Sequence, residues 1–277
     1  MSAPSDVGTM GAALVPTFRR RNYGRNHAYY LGDTKLIGVT TALSKGYPKP
    51  ALPYWSARTV AEYVADVDLA HLVNLRDMGR GATVAALKEI PWVKRDAAAL
   101  RGTELHNLAE KLIDGQRVEV PEPQVGLVES VVKFMNEWQP TPLLVEKTVG
   151  SRRWMYAGTF DLIAELPDGR RVLFDYKTSA SGIWPETAMQ LAAYRYADCY
   201  LETGPAGSAE IPMSEVGIDE CMAVWVRADG YDVHPLDTGE DVFRTFLAAL
   251  YVARQNIAPD KQTPPAVERW VGKAVRP

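Results

Sequence analysis

The chain has 277 residues, of which 47% are hydrophobic, so it is long enough to bury a substantial core as one large domain. Its 31 basic and 34 acidic residues give a formal net charge of −3, which excludes a protein that binds polyanions as a generic polycation. The two cysteines, Cys199 and Cys221, are too few for a disulfide framework, a four-thiolate zinc site or a fully cysteine-ligated iron–sulfur cluster. We therefore expect a cytoplasmic protein in which any nucleic-acid site is local.

The two ends of the chain differ in composition from the rest. Residues 1–17 are mostly small and polar, and residues 258–277 contain four prolines, so both segments are predicted to be loosely held. No apolar run approaches the ~20 residues that a membrane-spanning helix requires. We expect no membrane partner.

The first half of the chain is predicted to be mainly helical. Short apolar pieces between residues 28 and 41 favour a small hairpin, and the sequence GYPKP at 46–50 then breaks the pattern. Apolar spacings of three and four residues follow within a region of about 50–140 and predict helices near 52–64, 69–75, 83–89, 96–113 and 123–138.

The second half changes to strand-type patterns. Three such runs cover residues 143–150, 152–166 and 170–179, and a further pair at 221–228 and 231–236 surrounds Asp229 and Gly230. Helical spacing returns at 184–203, ending at Gly204, and at 242–256. This order predicts an α/β fold, with a mixed central β-sheet flanked by helices. One domain would cover 18–257, with a helical elaboration at about 50–140 and a core at about 96–257.

A tight turn at Leu166–Arg170 predicts a hairpin with a defined register. The sequence LPDGR suits a type I turn followed by a glycine in the left-handed region. One face then receives Ala164 with Val172, Leu162 with Phe174, and Phe160 with Tyr176. The other face receives Ile163 with Leu173, Asp161 with Asp175, and Thr159 with Lys177. The register therefore predicts one apolar face and one small patch that holds two acids and a lysine.

Two carboxylates directly opposite each other would repel and destabilise a plain hairpin. A divalent cation between Asp161 and Asp175 would make the arrangement favourable, because Mg²⁺ and Mn²⁺ prefer oxygen ligands. Lys177 on the same face would orient a water for attack and stabilise charge on a phosphate. The alternative is an exposed hairpin face with an ordinary Asp–Lys salt bridge.

Four short segments resemble the motifs of one enzyme family. GTELH at 102–106, GTFD at 158–161, DYKT at 175–178 and QLAAY at 190–194 are similar, in order and spacing, to motifs of the PD-(D/E)XK nucleases of the RecB-like branch. The resemblance implies a restriction-endonuclease-like core and metal-dependent cleavage of DNA.

The resemblance also implies roles for individual residues. The metal ligands would be His106, Asp161, Asp175 and the backbone carbonyl of Tyr176. The catalytic residues would be Asp161, Asp175 and Lys177, with Gln190 and Tyr194 lining the DNA side of the site. Glu146, in the strand before the hairpin, would be either a further ligand or a surface charge. Glu110, one turn after His106, would either join the site or be a solvated helix acid.

Basic residues are needed to meet the phosphates of DNA. Arg152 and Arg153 precede the catalytic strand, and with Tyr194 they are the predicted DNA contacts. Another cluster, Arg19, Arg20, Arg21 and Arg25, lies near the start of the chain. Ordinary solvated charge is the alternative interpretation of each group.

The resemblance therefore implies a DNA exonuclease that uses one or two Mg²⁺ or Mn²⁺ ions, and we expect no iron–sulfur cluster and no nucleotide cofactor. The resemblance places it in phage or bacterial recombination, repair or replication, in the host cytoplasm if phage-encoded, with a single-strand annealing or recombination protein as a possible partner. Two alternatives stay open: a structure-specific endonuclease of the same fold, and a nucleic-acid-binding accessory subunit that does not cut.

Overall fold

The computed structural model describes residues 16–24, 26–113, 115–204, 207–258, 263 and 265–270. Most of both predicted loose ends, and Arg25, lie outside the described residues. The helices are α1 (Val39–Gly46), α2 (Ala51–Asp66), α3 (Leu69–Asp77), α4 (Arg80–Ile113), α5 (Val125–Trp138), α6 (Pro185–Arg195), α7 (Glu240–Asn256) and α8 (Ala266–Arg269). The strands are β1 (Phe18–Tyr23), β2 (Asn26–Leu31), β3 (Thr34–Gly38), β4 (Thr141–Val145), β5 (Thr148–Ser151), β6 (Tyr156–Thr159), β7 (Leu162–Glu165), β8 (Arg171–Lys177), β9 (Cys199–Gly204), β10 (Gly207–Pro212), β11 (Glu220–Arg227) and β12 (Gly230–Pro235).

A five-stranded mixed sheet lies at the centre of the fold. Its strand order is β12-β11-β8-β7-β4, and β8 pairs with β11 in parallel while the other neighbours are antiparallel. Leu105 of α4 and Phe134 of α5 pack on one face of this sheet, and Leu191 of α6 and Phe246 of α7 pack on the other. Because helices cover both faces, the chain has the predicted α/β architecture with a mixed sheet flanked by helices.

The β7–β8 hairpin follows the predicted register over its inner part. Leu162 pairs with Phe174 and Ala164 with Val172, and the backbone N–H of Leu166 donates to the carbonyl of Arg170 at 2.8 Å. The turn closes at Gly169, whose φ of 88° lies in the left-handed region that favours glycine. The register is therefore confirmed as far as Leu162.

Beyond Leu162 the prediction is wrong, because the chain leaves this sheet. Thr159 pairs with Thr148 in β5 rather than with Lys177, and Phe160 packs with Ile163 and Leu173 on the opposite side from Tyr176. Both faces of the hairpin are buried, whereas the alternation predicted one apolar face. Asp161 and Asp175 consequently do not lie opposite each other in a β-ladder.

The second sheet explains this departure. It has the order β1-β2-β3-β6-β5-β9-β10 among the described residues, and β4–β5 and β6–β7 form one antiparallel ribbon that bends from the first sheet into the second. Two backbone hydrogen bonds continue the pairing across the bend, from Glu146 N–H to the Asp161 carbonyl at 2.9 Å and from Phe160 N–H to the Lys147 carbonyl at 3.2 Å. The residue opposite Asp161 is therefore Glu146.

Other boundaries differ locally from the predictions. The helix predicted over 184–203 ends at Arg195, because Cys199 and Leu201 alternate inward in β9 and pack with Phe18. The two helices predicted near 83–89 and 96–113 are one helix, α4, which continues through a buried Pro91. The hairpin predicted at 28–41 is β2–β3, and its last residues begin α1.

No helix among the described residues is both long enough and apolar enough to cross a bilayer.

Candidate metal-binding and catalytic site

The candidate site forms where β8 loses its neighbour β7. The last β7–β8 pair is Leu162 with Phe174, so on that side the backbone of Tyr176 has no strand partner. Side chains take over: the Tyr176 N–H donates to Oδ2 of Asp161 at 2.8 Å, and the Tyr176 carbonyl oxygen lies 3.0 Å from Nε2 of His106. The splaying of the ribbon thus makes room for two of the predicted functional groups beside the strand.

His106 is held as a cation between two oxygens. Its Nδ1 lies 3.2 Å from Oδ1 of Asp161, while its Nε2 faces the Tyr176 carbonyl. Both contacts are satisfied when both ring nitrogens donate, which is the protonated, imidazolium form of the ring. Burial alone would lower the pKa of His106, but the Asp161 carboxylate outweighs it and raises this pKa to about 9. In turn, His106 lowers the pKa of Asp161, against the effect of burial.

Glu146 completes a cluster of possible metal ligands. It lies at the bend of the ribbon with a φ of 49°, a left-handed conformation that a non-glycine residue seldom adopts. Burial, followed by the charge of Asp161, raises its pKa to about 7. One ligand atom from each of His106, Glu146 and Asp161 lies within 4.8 Å of the others. Glu146 therefore lies beside His106 and Asp161, while its role as a metal ligand stays a prediction.

A small cleft opens beside this cluster. His106, Glu110, Glu146, Asp161 and Tyr176 are among its lining residues, and its free volume is about 10 Å³. That volume is comparable to about one water molecule. Glu110 therefore lies at the site rather than on a remote solvated surface, and its charge contributes to the raised pKa of Glu146.

Asp175 and Lys177 contact each other on the face of β8 that packs against α6, opposite the side chain of Tyr176. Asp175 is 1% exposed and makes an ion pair with Lys177. Gln190 of α6 bridges the pair: its Nε2 donates to Oδ1 of Asp175 at 2.9 Å, and its Oε1 accepts from Nζ of Lys177 at 3.3 Å. Asp175 is consequently outside the 4.8 Å group of ligand atoms formed by His106, Glu146 and Asp161.

The ion pair sets the charges of its members. Burial would lower the pKa of Lys177, but Asp175 and Asp161 outweigh it and raise that pKa, so the ammonium stays protonated. Burial raises the pKa of Asp175, and Lys177 opposes this effect. The pair therefore holds the Lys177 ammonium at the end of β8 beside Asp175, where the Lys177 side chain is 26% exposed to solvent.

Tyr194 acts behind Gln190 rather than towards DNA. It is 2% exposed, and its hydroxyl accepts a hydrogen bond from Nε2 of Gln190 at 3.2 Å. A Cβ on Gly158 would lie 2.5 Å from a ring carbon of Tyr194, so the glycine of the GTFD motif makes room for this ring. The predicted contact of Tyr194 with DNA is corrected accordingly, because the ring has almost no free surface.

The predicted arginine contacts are also engaged within the fold. Arg152 makes an ion pair with Glu210, donates to the carbonyl of Pro16 at 2.6 Å and lies over the ring of Phe18. The guanidinium of Arg153 lies 4.8 Å from the ring centre of Trp154. Arg152 therefore already has a carboxylate partner within the fold, while its contact with DNA stays a prediction.

Comparison with known proteins adds no family assignment. No protein-family model matches this chain, and no match was found among curated proteins. The motifs and the geometry of the site therefore carry the functional interpretation.

Proposed function

We propose that the chain is a metal-dependent deoxyribonuclease with a restriction-endonuclease-like core, and that it acts as an exonuclease. The observation that carries the proposal is the arrangement around the end of β8. A cluster of His106, Glu146 and Asp161 lies on one side, and the Asp175–Lys177 pair lies on the other. The exonuclease assignment rests on the motif resemblance.

The donor set fits a divalent cation. Two carboxylates that face each other across the bend repel unless a positive charge lies between them, and a protonated His106 now supplies that charge. Mn²⁺ binds both carboxylate oxygens and imidazole nitrogen, so the whole donor set suits it. Mg²⁺ prefers oxygen, so the two carboxylates would be its main ligands. Asp161, Glu146 and His106 would hold the ion, with the Tyr176 carbonyl beside them.

When bound, the cation would polarise a phosphodiester and make a water more acidic. Before the cation can bind, its protein ligands must lose their protons. Both nitrogens of His106 carry protons, so His106 must release at least one before it can become a ligand. Glu146, with a pKa of about 7, must also be ionised.

Lys177 supplies a second, permanent positive charge. Its ammonium remains protonated beside Asp175, and Gln190 limits where it can point. A charge held in this way would stabilise the negative charge that develops on a phosphate, without reorganising during the reaction. Buried Asp175 would act chiefly by positioning Lys177.

One experiment tests the proposal and separates its alternatives. End-labelled linear DNA and covalently closed circular DNA are incubated with Mg²⁺, Mn²⁺ or EDTA, with Lys177→Ala as the inactive control. We expect metal-dependent release of short products from linear DNA only. Cleavage of the closed circle would favour the endonuclease alternative, and binding without cleavage of either substrate would favour the accessory subunit.

A further inference from the structure

Three consecutive arginines in β1 have different surroundings. Nη2 of Arg19 lies 3.2 Å from Oδ1 of Asp33, and the guanidinium of Arg21 lies 5.0 Å from the ring centre of Tyr30. Because side chains alternate along a strand, Arg20 points to the opposite face from these two. Arg20 alone among the three is therefore directed towards the neighbouring strands that lead to the site.

Arg20 reaches the strand that carries the predicted site. Its Nη1 lies 3.5 Å from Oγ1 of Thr159, which is the last residue of β6 and stands two positions before Asp161. Tyr29, the β2 partner of Arg20, contacts the same hydroxyl at 2.9 Å. Arg20 and Tyr29 therefore lie on the same face of the β1–β2 hairpin, the face next to Thr159.

The guanidinium of Arg20 is not neutralised by a direct partner. In the part of the chain that the structure describes, Arg20 makes no ion pair, whereas Arg19 and Arg152 each have a carboxylate partner. Its side chain is exposed. An exposed, unpaired cation thus lies near the acidic cleft.

A DNA strand that approaches this cleft meets three carboxylates, those of Glu110, Glu146 and Asp161. These groups repel a polyanion wherever a bound cation does not neutralise them. A guanidinium at the edge of the cleft offsets the repulsion and can hold a phosphate with two parallel hydrogen bonds. Arg20 combines this position with a charge that no carboxylate neutralises among the described residues.

We propose that Arg20 binds a backbone phosphate of the DNA strand at the edge of the His106–Glu146–Asp161 cleft and so positions the strand for cleavage. The inference rests on the proposed function for the identity of the ligand. It assigns the phosphate contact to β1, in place of the predicted contact at Arg152.

The test compares the three neighbouring arginines in the full chain. Arg20→Ala, Arg20→Lys, Arg19→Ala and Arg21→Ala are prepared, and their melting temperatures are checked. Binding of fluorescein-labelled single- and double-stranded oligonucleotides is measured by anisotropy in EDTA over a series of salt concentrations. Steady-state cleavage is then measured with Mn²⁺, so that KM and kcat are obtained separately.

We expect Arg20→Ala to weaken binding about tenfold and to reduce the slope of log K against log salt concentration by about 0.7–0.9, as the loss of one phosphate contact requires. KM should rise while kcat changes by less than about threefold. Arg20→Lys should recover the salt slope, since it keeps the charge, but only part of the affinity, since an ammonium cannot donate the two parallel hydrogen bonds of a guanidinium. Arg19→Ala and Arg21→Ala should bind like the wild type.

Equal affinities and salt slopes for Arg20→Ala and Arg19→Ala would overturn the inference, as would an absence of binding to either oligonucleotide. The two proposals fail separately. Binding that depends on Arg20 without any cleavage would contradict the nuclease function but not the phosphate contact of Arg20. Normal cleavage by Arg20→Ala with unchanged KM would contradict only the role of Arg20.

Discussion

The two sides of β8 near its end carry similar groups in different arrangements. On one side, the side chains of His106, Glu146 and Asp161 converge on a small cleft, and the cation among them is protonated His106. On the other side, Asp175 is buried, and the cation beside it is the ammonium of Lys177. Under the proposed function, a metal ion would replace the proton on His106, whereas the Lys177 ammonium would keep its charge. The comparison therefore sets a replaceable cation beside a fixed one.

Removal of the fixed cation should have the largest effect. Lys177→Met keeps most of the side-chain volume but removes the charge, so we expect the cleavage rate to fall by about 10³-fold, because the phosphate loses a preorganised positive partner. Mn²⁺ binding, measured by isothermal titration calorimetry, should remain. Cleavage by Lys177→Met at the wild-type rate would contradict the assigned role.

The two aspartates should differ in their effect on metal binding. Asp161→Asn should weaken Mn²⁺ binding by more than about 100-fold, while Asp175→Asn should weaken it by about tenfold or less, as expected for a group that acts indirectly. Calorimetric titration of both variants gives the comparison. The reverse order would identify Asp175 as the principal ligand, in agreement with the motif resemblance and against the arrangement seen around β8.

The replaceable cation should also make stability depend on pH. His106, with its pKa raised from 6.5 to about 9, stabilises the metal-free fold fully below pH 6.5, and this contribution is lost as the pH rises towards 9. The pKa of Glu146 is raised from 4.5 to about 7, so the folded state binds this proton more tightly than the unfolded state. The stability that this provides is lost as the pH rises from 4.5 to 7.

We therefore expect the melting temperature in EDTA to decline from about pH 5 to 9, and Mn²⁺ to raise it more at the alkaline end, where the ligands have lost their protons. Scanning calorimetry at several pH values measures both effects. Glu146→Gln should flatten the decline below about pH 7 and leave the alkaline part. A profile in EDTA that is identical in wild type and Glu146→Gln would contradict the proposed environment of this residue.

The residues behind the fixed cation should have the smallest effects. Gln190→Ala removes a hydrogen bond to each member of the Asp175–Lys177 pair, so kcat should fall about tenfold. Tyr194→Phe removes only the hydroxyl that Gln190 contacts, and kcat should change by less than about threefold. Single-turnover cleavage of linear DNA distinguishes these values. A larger loss for Tyr194→Phe would indicate that its hydroxyl has a more direct role.

Much of the site was predictable because its strongest signals are local. The turn at Leu166–Arg170 sets the hairpin register through Gly169, which needs only neighbouring residues. Similarly, the apolar spacing at 123–138 and 242–256 predicts α5 and α7 to within about two residues. The five motif residues all lie around the end of β8, namely His106, Asp161, Asp175, Lys177 and Gln190.

The remaining features depend on contacts between distant parts of the chain. Cys199 and Leu201 adopt a strand because they pack with Phe18, which the local helical spacing did not show. The tertiary structure likewise gave Arg152 a carboxylate partner, Glu210, and left Arg20 without one among the described residues. The sequence shows where the arginines are, but only the packing decides which of them lack a carboxylate partner.

The sequence by itself determined the kinds of functional group and the hairpin that carries Asp175 and Lys177. The tertiary structure decided which acid faces Asp161. That acid is Glu146, because the ribbon bends from one sheet into the other at these two residues and removes Asp161 from the β8 ladder. The physical reason is that strand register is set locally by a turn, whereas the sheet that each half of a ribbon joins depends on burial against elements more than a hundred residues away.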